Sequence, residues 1–308
     1  MTDKKLYLTR AQLISELGRC LGCKSKPCMN ACPVNCNPQE FIAKAKANDF
    51  AGAVETITRN NPMGQTCGLI CPDKFCMQAC TRAGIDFPIN IPRVQATILE
   101  KYRTAESAAH PKLPANGKKV AVIGAGPAGI AATAELSRLG YRITLFESFE
   151  KIGGALNLIP DKRLPFEVIA KDWSFIDDPD MIELRLNTPV NNPAALLEQD
   201  FDGVIVATGE PEGINLGIDG EEHAVSYLDY LRHPEHYAAR GNIAVIGGGA
   251  VATDCALTAV NNGAENVEMF VRRRVSDMRV TGEERKSLLD AGVDLTTMTK
   301  IKIGRAHV

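Results

Sequence analysis

The chain has 308 residues, with 35 basic and 37 acidic side chains and a formal net charge of −2. This balance excludes the strongly basic surface of a general nucleic-acid-binding protein, so we expect no nucleic-acid partner. Every uncharged apolar run is shorter than the ~18 residues of a membrane-spanning helix, and the N-terminus has no apolar signal core. We therefore expect a cytoplasmic protein without a membrane partner.

Nine of the ten cysteines lie between residues 20 and 80, in two groups of four plus Cys36. A disulfide framework needs an oxidising compartment, and zinc sites favour CxxC pairs or Cys/His mixtures, so both fit this pattern less well. Short spacings that wrap several thiolates around one loop are typical of iron–sulfur clusters. The pattern predicts two [4Fe–4S] clusters. The first group is Cys20, Cys23, Cys28 and Cys32, and the second is Cys67, Cys71, Cys76 and Cys80.

Pro33 follows the last cysteine of the first group. In ferredoxin-like runs the cysteine before proline ligates the other cluster. We therefore expect Cys32 to leave the cluster held by its three predecessors. The second group should then return one cysteine to that first cluster.

Residues 1–104 are predicted to form a mostly helical domain. Thr9 can cap a helix that begins RAQLISEL, and the segment Asn37 to Arg59 has helical periodicity with Pro38 near its start. Residues 105–118 are polar and contain two prolines and Gly117, which is typical of a linker.

From residue 119 the pattern changes to α/β. The strand KKVAVIG, a helix and the strand RITLFE form one βαβ unit, and the same order recurs from Asn242. The fold class is therefore α/β with an N-terminal all-α iron–sulfur domain. We expect two Rossmann-like dinucleotide-binding domains, over residues 119–210 and 211–308.

The first glycine motif, Gly124-x-Gly126-x-x-Gly129, lies between a strand and a helix. In that context the glycines permit a tight turn, and the helix N-terminus faces a pyrophosphate. Glu147 ends the next strand, where an acidic residue can accept hydrogen bonds from a ribose. The motif predicts dinucleotide binding.

The second motif is Gly247-x-Gly249-x-x-Ala252, and arginines follow its second strand. An arginine at that place suits a 2′-phosphate and favours NADP over NAD. The alternative to a 2′-phosphate site is that these arginines form a solvated surface turn. Because a nicotinamide delivers electron pairs and a cluster takes single electrons, a flavin is needed between them. We therefore assign FAD to the first site and NADPH to the second.

These motifs, with PINIPRVQ (Pro88–Gln95) and GGALNLIPDKRLP (Gly153–Pro165), resemble one known family over roughly Ala11 to Lys300. It contains the small subunit of NADPH-dependent glutamate synthase and the N-terminal part of dihydropyrimidine dehydrogenase. Ala250 stands where relatives usually carry Asp or Asn. The resemblance implies that Cys36 and Cys67 have no ligand role.

The resemblance also implies specific site residues. One cluster would take Cys20, Cys23, Cys28 and Cys80, and the other Cys32, Cys71, Cys76 and Gln95. FAD would lie on Gly124, Ala125, Gly126, Pro127, Ala128, Gly129, Glu147, Gly153, Gly154 and Arg163. NADPH would lie on Gly247, Gly248, Gly249, Arg272, Arg273 and Arg279.

The implied activity is electron input. Hydride passes from NADPH to FAD, and single electrons pass through the clusters to a site that reduces a pyrimidine or 2-oxoglutarate plus glutamine. That site would lie on a redox partner subunit or a further C-terminal domain, and we predict no catalytic acid or base on this chain. The family's second flavin contact does not follow Lys300, and the closing segment Ile303–Val308 is unlike a domain end. We therefore expect a fragment with incomplete FAD and NADPH domains. A non-catalytic iron–sulfur sensor or assembly module and an inactive fragment are the alternatives.

Overall fold

The computed structural model describes residues 6–209, 217–237 and 241–300. The predicted boundary at residues 210 and 211 and the segment Ile303–Val308 lie outside them. The chain forms two compact units: the first takes Met1–Leu156 and Asp161–Gly209, and the second Asn157–Pro160 and Glu210–Val308. Across the described ranges, no helix combines the length and apolar character needed to span a membrane.

Seven helices form the N-terminal part of the first unit over the described residues. The first, α1, begins at its predicted cap: Thr9 Oγ1 accepts from Gln12 N, and Gln12 Oε1 accepts from Thr9 N. This reciprocal pair satisfies two backbone donors at the helix start. The helices are α1 (Arg10–Arg19), α2 (Pro27–Asn30), α3 (Pro38–Lys46), α4 (Phe50–Thr58), α5 (Gly64–Ile70), α6 (Ile91–Tyr102) and α7 (Ala105–Ala108).

The periodic segment Asn37 to Arg59 is two helices. Asn48 adopts a left-handed conformation with φ of 68°, which ends α3. Asp49 then caps α4, since its Oδ1 accepts from Gly52 N at 2.8 Å. The apolar spacing continues through this turn, so periodicity alone does not show the break.

Apolar side chains from these helices form one core. Phe41, Ile57 and Ile98 are completely buried in it. Cysteines from both sequence groups pack against its edge: Cys20, Cys28, Cys32, Cys76 and Cys80. The core therefore holds together loops that are far apart in sequence.

A parallel four-stranded sheet completes the first unit, in the order β3-β2-β1-β4. Because the order reverses direction between β1 and β4, the carboxyl ends of these strands border a nucleotide-binding crevice. The strands are β1 (Lys119–Ile123), β2 (Arg142–Phe146), β3 (Ile182–Arg185) and β4 (Gly203–Val206), and the helices between them are α8 (Pro127–Arg138) and α9 (Phe166–Ser174).

The second unit contains a parallel sheet in the order β5-β6-β7. Val245, Met269 and Leu288 are buried in its core. Its described elements are α10 (Tyr227–Arg232), β5 (Asn242–Ile246), α11 (Ala250–Asn261), β6 (Asn266–Val271), α12 (Gly282–Asp290) and β7 (Asp294–Thr297). Both βαβ units predicted from the sequence are present.

Candidate functional site

The first cysteine set, Cys20, Cys23, Cys28 and Cys80, lines one recess backed by Ile42, Ile89 and Ile91. Cys20 follows α1, and Cys80 precedes a short 3₁₀ turn. Burial raises the pKa of the Cys28 thiol, and the nearby Cys20 and Cys80 thiols raise it further. The structure thus brings one cysteine of the second sequence group to three of the first.

The residues predicted to hold the second cluster, called here the second ligand set, lie beside the first set; they are Cys32, Cys71, Cys76 and Gln95. Burial raises the pKa of Cys76 to about 12, and the nearby Cys71, Cys32 and Cys28 thiols add to the rise. Cys28 belongs to the first set, so the two sets are neighbours. Gln95 on α6 is 7% exposed. Its Nε2 donates to Gly64 O at 2.6 Å, so the opposite end of the amide carries the oxygen.

Two further thiols contact this second set. Burial raises the pKa of Cys36, and the nearby Cys32, Cys76 and Cys71 thiols raise it further. Cys67 lies on α5, one turn before Cys71, which follows that helix. The contact with Cys71 and burial raise the pKa of Cys67, and the contact with Cys67 lowers the pKa of Cys71. The four-residue spacing on a helix could have indicated this contact from the sequence.

The chemistry of these donors fits iron–sulfur clusters. All ten cysteines are free thiols, and thiolates are the ligands that hold such clusters. The first set offers four thiols in one recess, and the second offers three thiols and an amide oxygen. Because iron binds the thiolate and displaces its proton, binding offsets the cost of ionising the buried thiols.

Gly124 and Gly129 shape the first glycine loop. Gly124 has φ of 101°, and a Cβ there would lie 2.5 Å from Ala207 O at the end of β4. A Cβ on Gly129 would lie 1.8 Å from Gly124 O. Glycine therefore lets the loop pass close to β4 and to its own helix. Gly126 is the N-cap of α8, whose first turn exposes Pro127 and Ala128.

The Glu147 carboxylate accepts hydrogen bonds from backbone N–H groups in and near this loop. The side chain is 5% exposed. Its Oε2 accepts from Ala125 N at 2.8 Å and its Oε1 accepts from Phe149 N at 3.0 Å. The carboxylate that the sequence assigns to a ribose is thus already bound to backbone donors. A ribose hydroxyl can reach it only through the remaining lone pairs.

The Gly153-Gly154 motif packs on the same loop. Gly153 N donates to Ala125 O at 2.8 Å, and a Cβ on Gly154 would lie 2.9 Å from Gly126 Cα. The Gly153-Gly154 motif and the first glycine loop, which are separate in the sequence, are therefore in contact in the structure. Arg163 lies in the turn before α9 and is partly buried.

The second glycine loop leads from β5 into α11. A Cβ on Gly248 would lie 2.4 Å from Val271 Cγ1, so β6 passes close to the loop. Gly249 is the N-cap of α11, and Ala250 is its first residue. Gly247 precedes them with φ of 139°. The loop thus has the backbone form that a dinucleotide site needs.

Arg279 contacts the second loop, and two further arginines follow β6, which passes beside it. Arg279 N donates to Gly248 O at 3.0 Å, which places residue 279 directly at the glycines. Arg272 follows the last residue of β6 and is exposed, and Arg273 is partly exposed. These three side chains make no ion pair within the described ranges. Their charge is available to an anionic group.

A buried polar network connects the helical part to α9. Asp172 accepts from Thr66 N at 2.8 Å and from Arg103 Nη1 at 2.7 Å. Arg103 Nη2 donates to Gln65 Oε1 at 3.0 Å. The network fixes the start of α5, the helix that leads to Cys71. Its members are too far apart in sequence for any local pattern to show it.

Three domain families match the chain. Residues 1–107 match the family described as dihydropyrimidine dehydrogenase domain II, 4Fe-4S cluster. Residues 122–173 match an NAD(P)-binding Rossmann-like domain, and residues 178–307 match the pyridine nucleotide-disulphide oxidoreductase family. The iron–sulfur match covers both cysteine groups, and the two later matches cover the first and the second glycine motif.

The NAD-dependent dihydropyrimidine dehydrogenase subunit PreT of Escherichia coli (strain K12) is 34% identical over 293 residues, which cover 92% of this chain and 70% of PreT. The chain belongs to the PreT family. It is therefore an oxidoreductase of the flavin, iron–sulfur and pyridine-nucleotide type.

The chain is also similar to a relative with a different name. The NADPH-Fe(3+) oxidoreductase subunit beta of Geobacter sulfurreducens (strain DL-1 / KN400) is 30% identical, over 90% of this chain and 43% of the relative. Among solved structures, 6-hydroxypseudooxynicotine amine oxidase from Pseudomonas geniculata N1 matches 86% of this chain and 40% of its own, with a TM-score of 0.54 and 19% identity. That likeness supports the fold.

Proposed function

We propose that the chain is the electron-input module of an NADPH-dependent oxidoreductase. It moves hydride from NADPH to FAD and single electrons through two [4Fe–4S] clusters to a partner active site. The observation that carries this proposal is the adjacency of the two ligand sets, because cysteines of both pack against the edge of one helical core: Cys20, Cys28 and Cys80 of the first, and Cys32 and Cys76 of the second. Adjacent clusters suit a relay of single electrons.

The helical part, residues 1–104, holds both clusters in this proposal. The linker is residues 105–118, whose first four residues form the short helix α7. The FAD and NADPH domains are residues 119–210 and 211–308. The first cysteine set binds one cluster and the second ligand set binds the other. FAD supplies the conversion between electron pairs and single electrons when it is bound.

The first glycine loop binds the FAD pyrophosphate in this proposal. The exposed first turn of α8 presents backbone N–H groups at the open crevice. Glu147 holds the loop in shape through Ala125, and Gly153 and Gly154 close one side of it. Arg163 lies near the flavin in this proposal, as the family pattern implies.

The second loop binds NADPH through Gly247, Gly248 and Gly249, and Arg272, Arg273 and Arg279 face the 2′-phosphate. Three arginines without an ion pair in the described ranges support the choice of NADPH. NADH is the second candidate, because PreT of E. coli is named as NAD-dependent. The ratio of the two reduction rates separates these donors.

In this proposal the electrons leave for a substrate site on a redox partner. Relatives are named as subunits, which supports a redox partner subunit for this chain as well. A dihydropyrimidine dehydrogenase-like or glutamate synthase-like partner is the proposal, in the cytoplasm and without a membrane or a nucleic acid.

Anaerobic reconstitution with iron, sulfide and FAD, followed by titration with NADPH, tests the function. The flavin absorbance should bleach first, and the cluster signals should follow in EPR. Clusters and flavin that both stay oxidised under NADPH and under NADH would favour the sensor. Clusters without bound flavin would favour the inactive fragment.

A further inference from the structure

Cys36 and Cys67 stand next to the second ligand set without belonging to it. Cys36 is 2% exposed, and its Sγ donates to Gln95 Oε1 at 3.7 Å. Cys67 lies on α5, one turn before Cys71, which follows that helix. Each thiol is therefore placed next to a different member of the same ligand set.

The Gln95 amide is oriented so that its oxygen meets Cys36. Its nitrogen donates to Gly64 O at 2.6 Å, which determines the direction of the opposite end. A Cβ on residue 64 would lie 2.7 Å from Leu99 Cδ1, so a larger residue there would have to displace the Leu99 side chain on α6. The amide oxygen has two lone pairs, so it can accept from a thiol and also bind iron.

Two roles are open to Cys36: ligand or hydrogen-bond donor. A thiolate is the softer ligand, which favours the first role. The 3.7 Å distance between Cys36 Sγ and Gln95 Oε1 is a hydrogen-bond contact for sulfur, and it is too short for ligands of two different irons in a cubane. The apolar surroundings of Cys36 also favour a protonated thiol.

We propose that Cys36 and Cys67 are positioning residues of the second cluster. Their thiols donate hydrogen bonds to Gln95 Oε1 and Cys71 Sγ. Hydrogen bonds to ligand atoms stabilise the more negative, reduced cluster and so raise its reduction potential. The two thiols thus make the second cluster a better electron acceptor than it would be without them. This inference rests on the proposed two-cluster function.

The test compares Cys36→Ala, Cys36→Ser and Cys67→Ala with the wild-type full chain. Cys255→Ala is the matched control, because that thiol is also partly buried but lies in the second unit. Iron and sulfide per chain are measured after anaerobic reconstitution, and an EPR-monitored redox titration gives the potential of each cluster. We expect both alanine variants to keep the wild-type iron content and to lower the potential of one cluster. Cys36→Ser should restore that potential, because its hydroxyl also donates.

Loss of about one iron per chain in Cys36→Ala would make Cys36 a ligand and overturn the proposal. Unchanged potentials in both alanine variants would overturn it and leave the two-cluster function standing. A wild-type chain that takes up a single cluster would overturn both. If Cys36→Ala does not fold, the cluster potential in Cys67→Ala tests the proposal at Cys71 instead. A cluster potential in Cys36→Ser below that of the wild type would contradict the donor role of Cys36.

Discussion

Arg103 and Asp172 form an ion pair with no solvent exposure of either side chain, and Nη1 lies 2.7 Å from Oδ1. Arg103 follows α6, the helix of Gln95, and Asp172 lies on α9 beside the first sheet. The guanidinium also stacks on Phe175, with Cζ 4.2 Å from the ring centroid. One buried pair therefore joins the helical part to the sheet of the first unit.

Asp172→Ala should lower the free energy of unfolding by about 3–5 kcal/mol, because it leaves the Arg103 charge buried without its partner. Lys112→Ala is the control, since it removes an exposed pair with Asp178 and should cost only ~0–1 kcal/mol. Urea denaturation under anaerobic conditions, followed by circular dichroism, measures both. Equal losses in the two variants would contradict a structural role for the buried pair.

Cys80→Ser should remove or weaken the cluster that also holds Cys20. Because one cysteine ligand in four is lost, the iron content should fall by between about one iron and about half of the total. Iron analysis and EPR measure the loss, and Cys255→Ser should keep the wild-type values. An intact two-cluster spectrum in Cys80→Ser would refute this ligand assignment.

Gly129→Ala should abolish FAD binding. The added methyl group would lie 1.8 Å from Gly124 O, so the loop and the start of α8 must move apart. Gly203→Ala is the matched control, because a Cβ there meets nothing within 4 Å. FAD released from each purified, reconstituted protein is quantified by fluorescence. A wild-type FAD content in Gly129→Ala would rule out this loop as the flavin site.

Arg272→Ala should lower kcat/KM for NADPH about 10–100-fold, the equivalent of one lost hydrogen bond to a charged group. The value for NADH should change little, because NADH lacks the 2′-phosphate. Lys286→Ala, whose charge is paired with Asp290 in the same unit, serves as the control. Rates of flavin reduction in stopped flow give both constants. If the preference for NADPH over NADH does not change, the arginine does not read the 2′-phosphate.

The sequence predicted both βαβ units and their glycine loops, because apolar strands and glycines are local signals. It also predicted that the cysteine groups exchange members, and the structure places Cys80 beside Cys20. Periodicity alone did not show the turn at Asn48, where this left-handed residue ends one helix and Asp49 caps the next. Nor could the sequence show that the Glu147 carboxylate accepts a hydrogen bond from Ala125 N, since that contact depends on how the loop folds over the strand.

The recess that gathers Cys20 and Cys80 has a consequence for folding. A cluster bound there would cross-link two points 60 residues apart in the sequence, and the neighbouring cluster would close a second, overlapping ring through Cys32 and Cys76. Closing such rings removes conformational freedom from the unfolded chain, and the second closure costs less once the first has formed. Cluster assembly in this domain should therefore be cooperative, and oxygen damage to one cluster should loosen the chain around both.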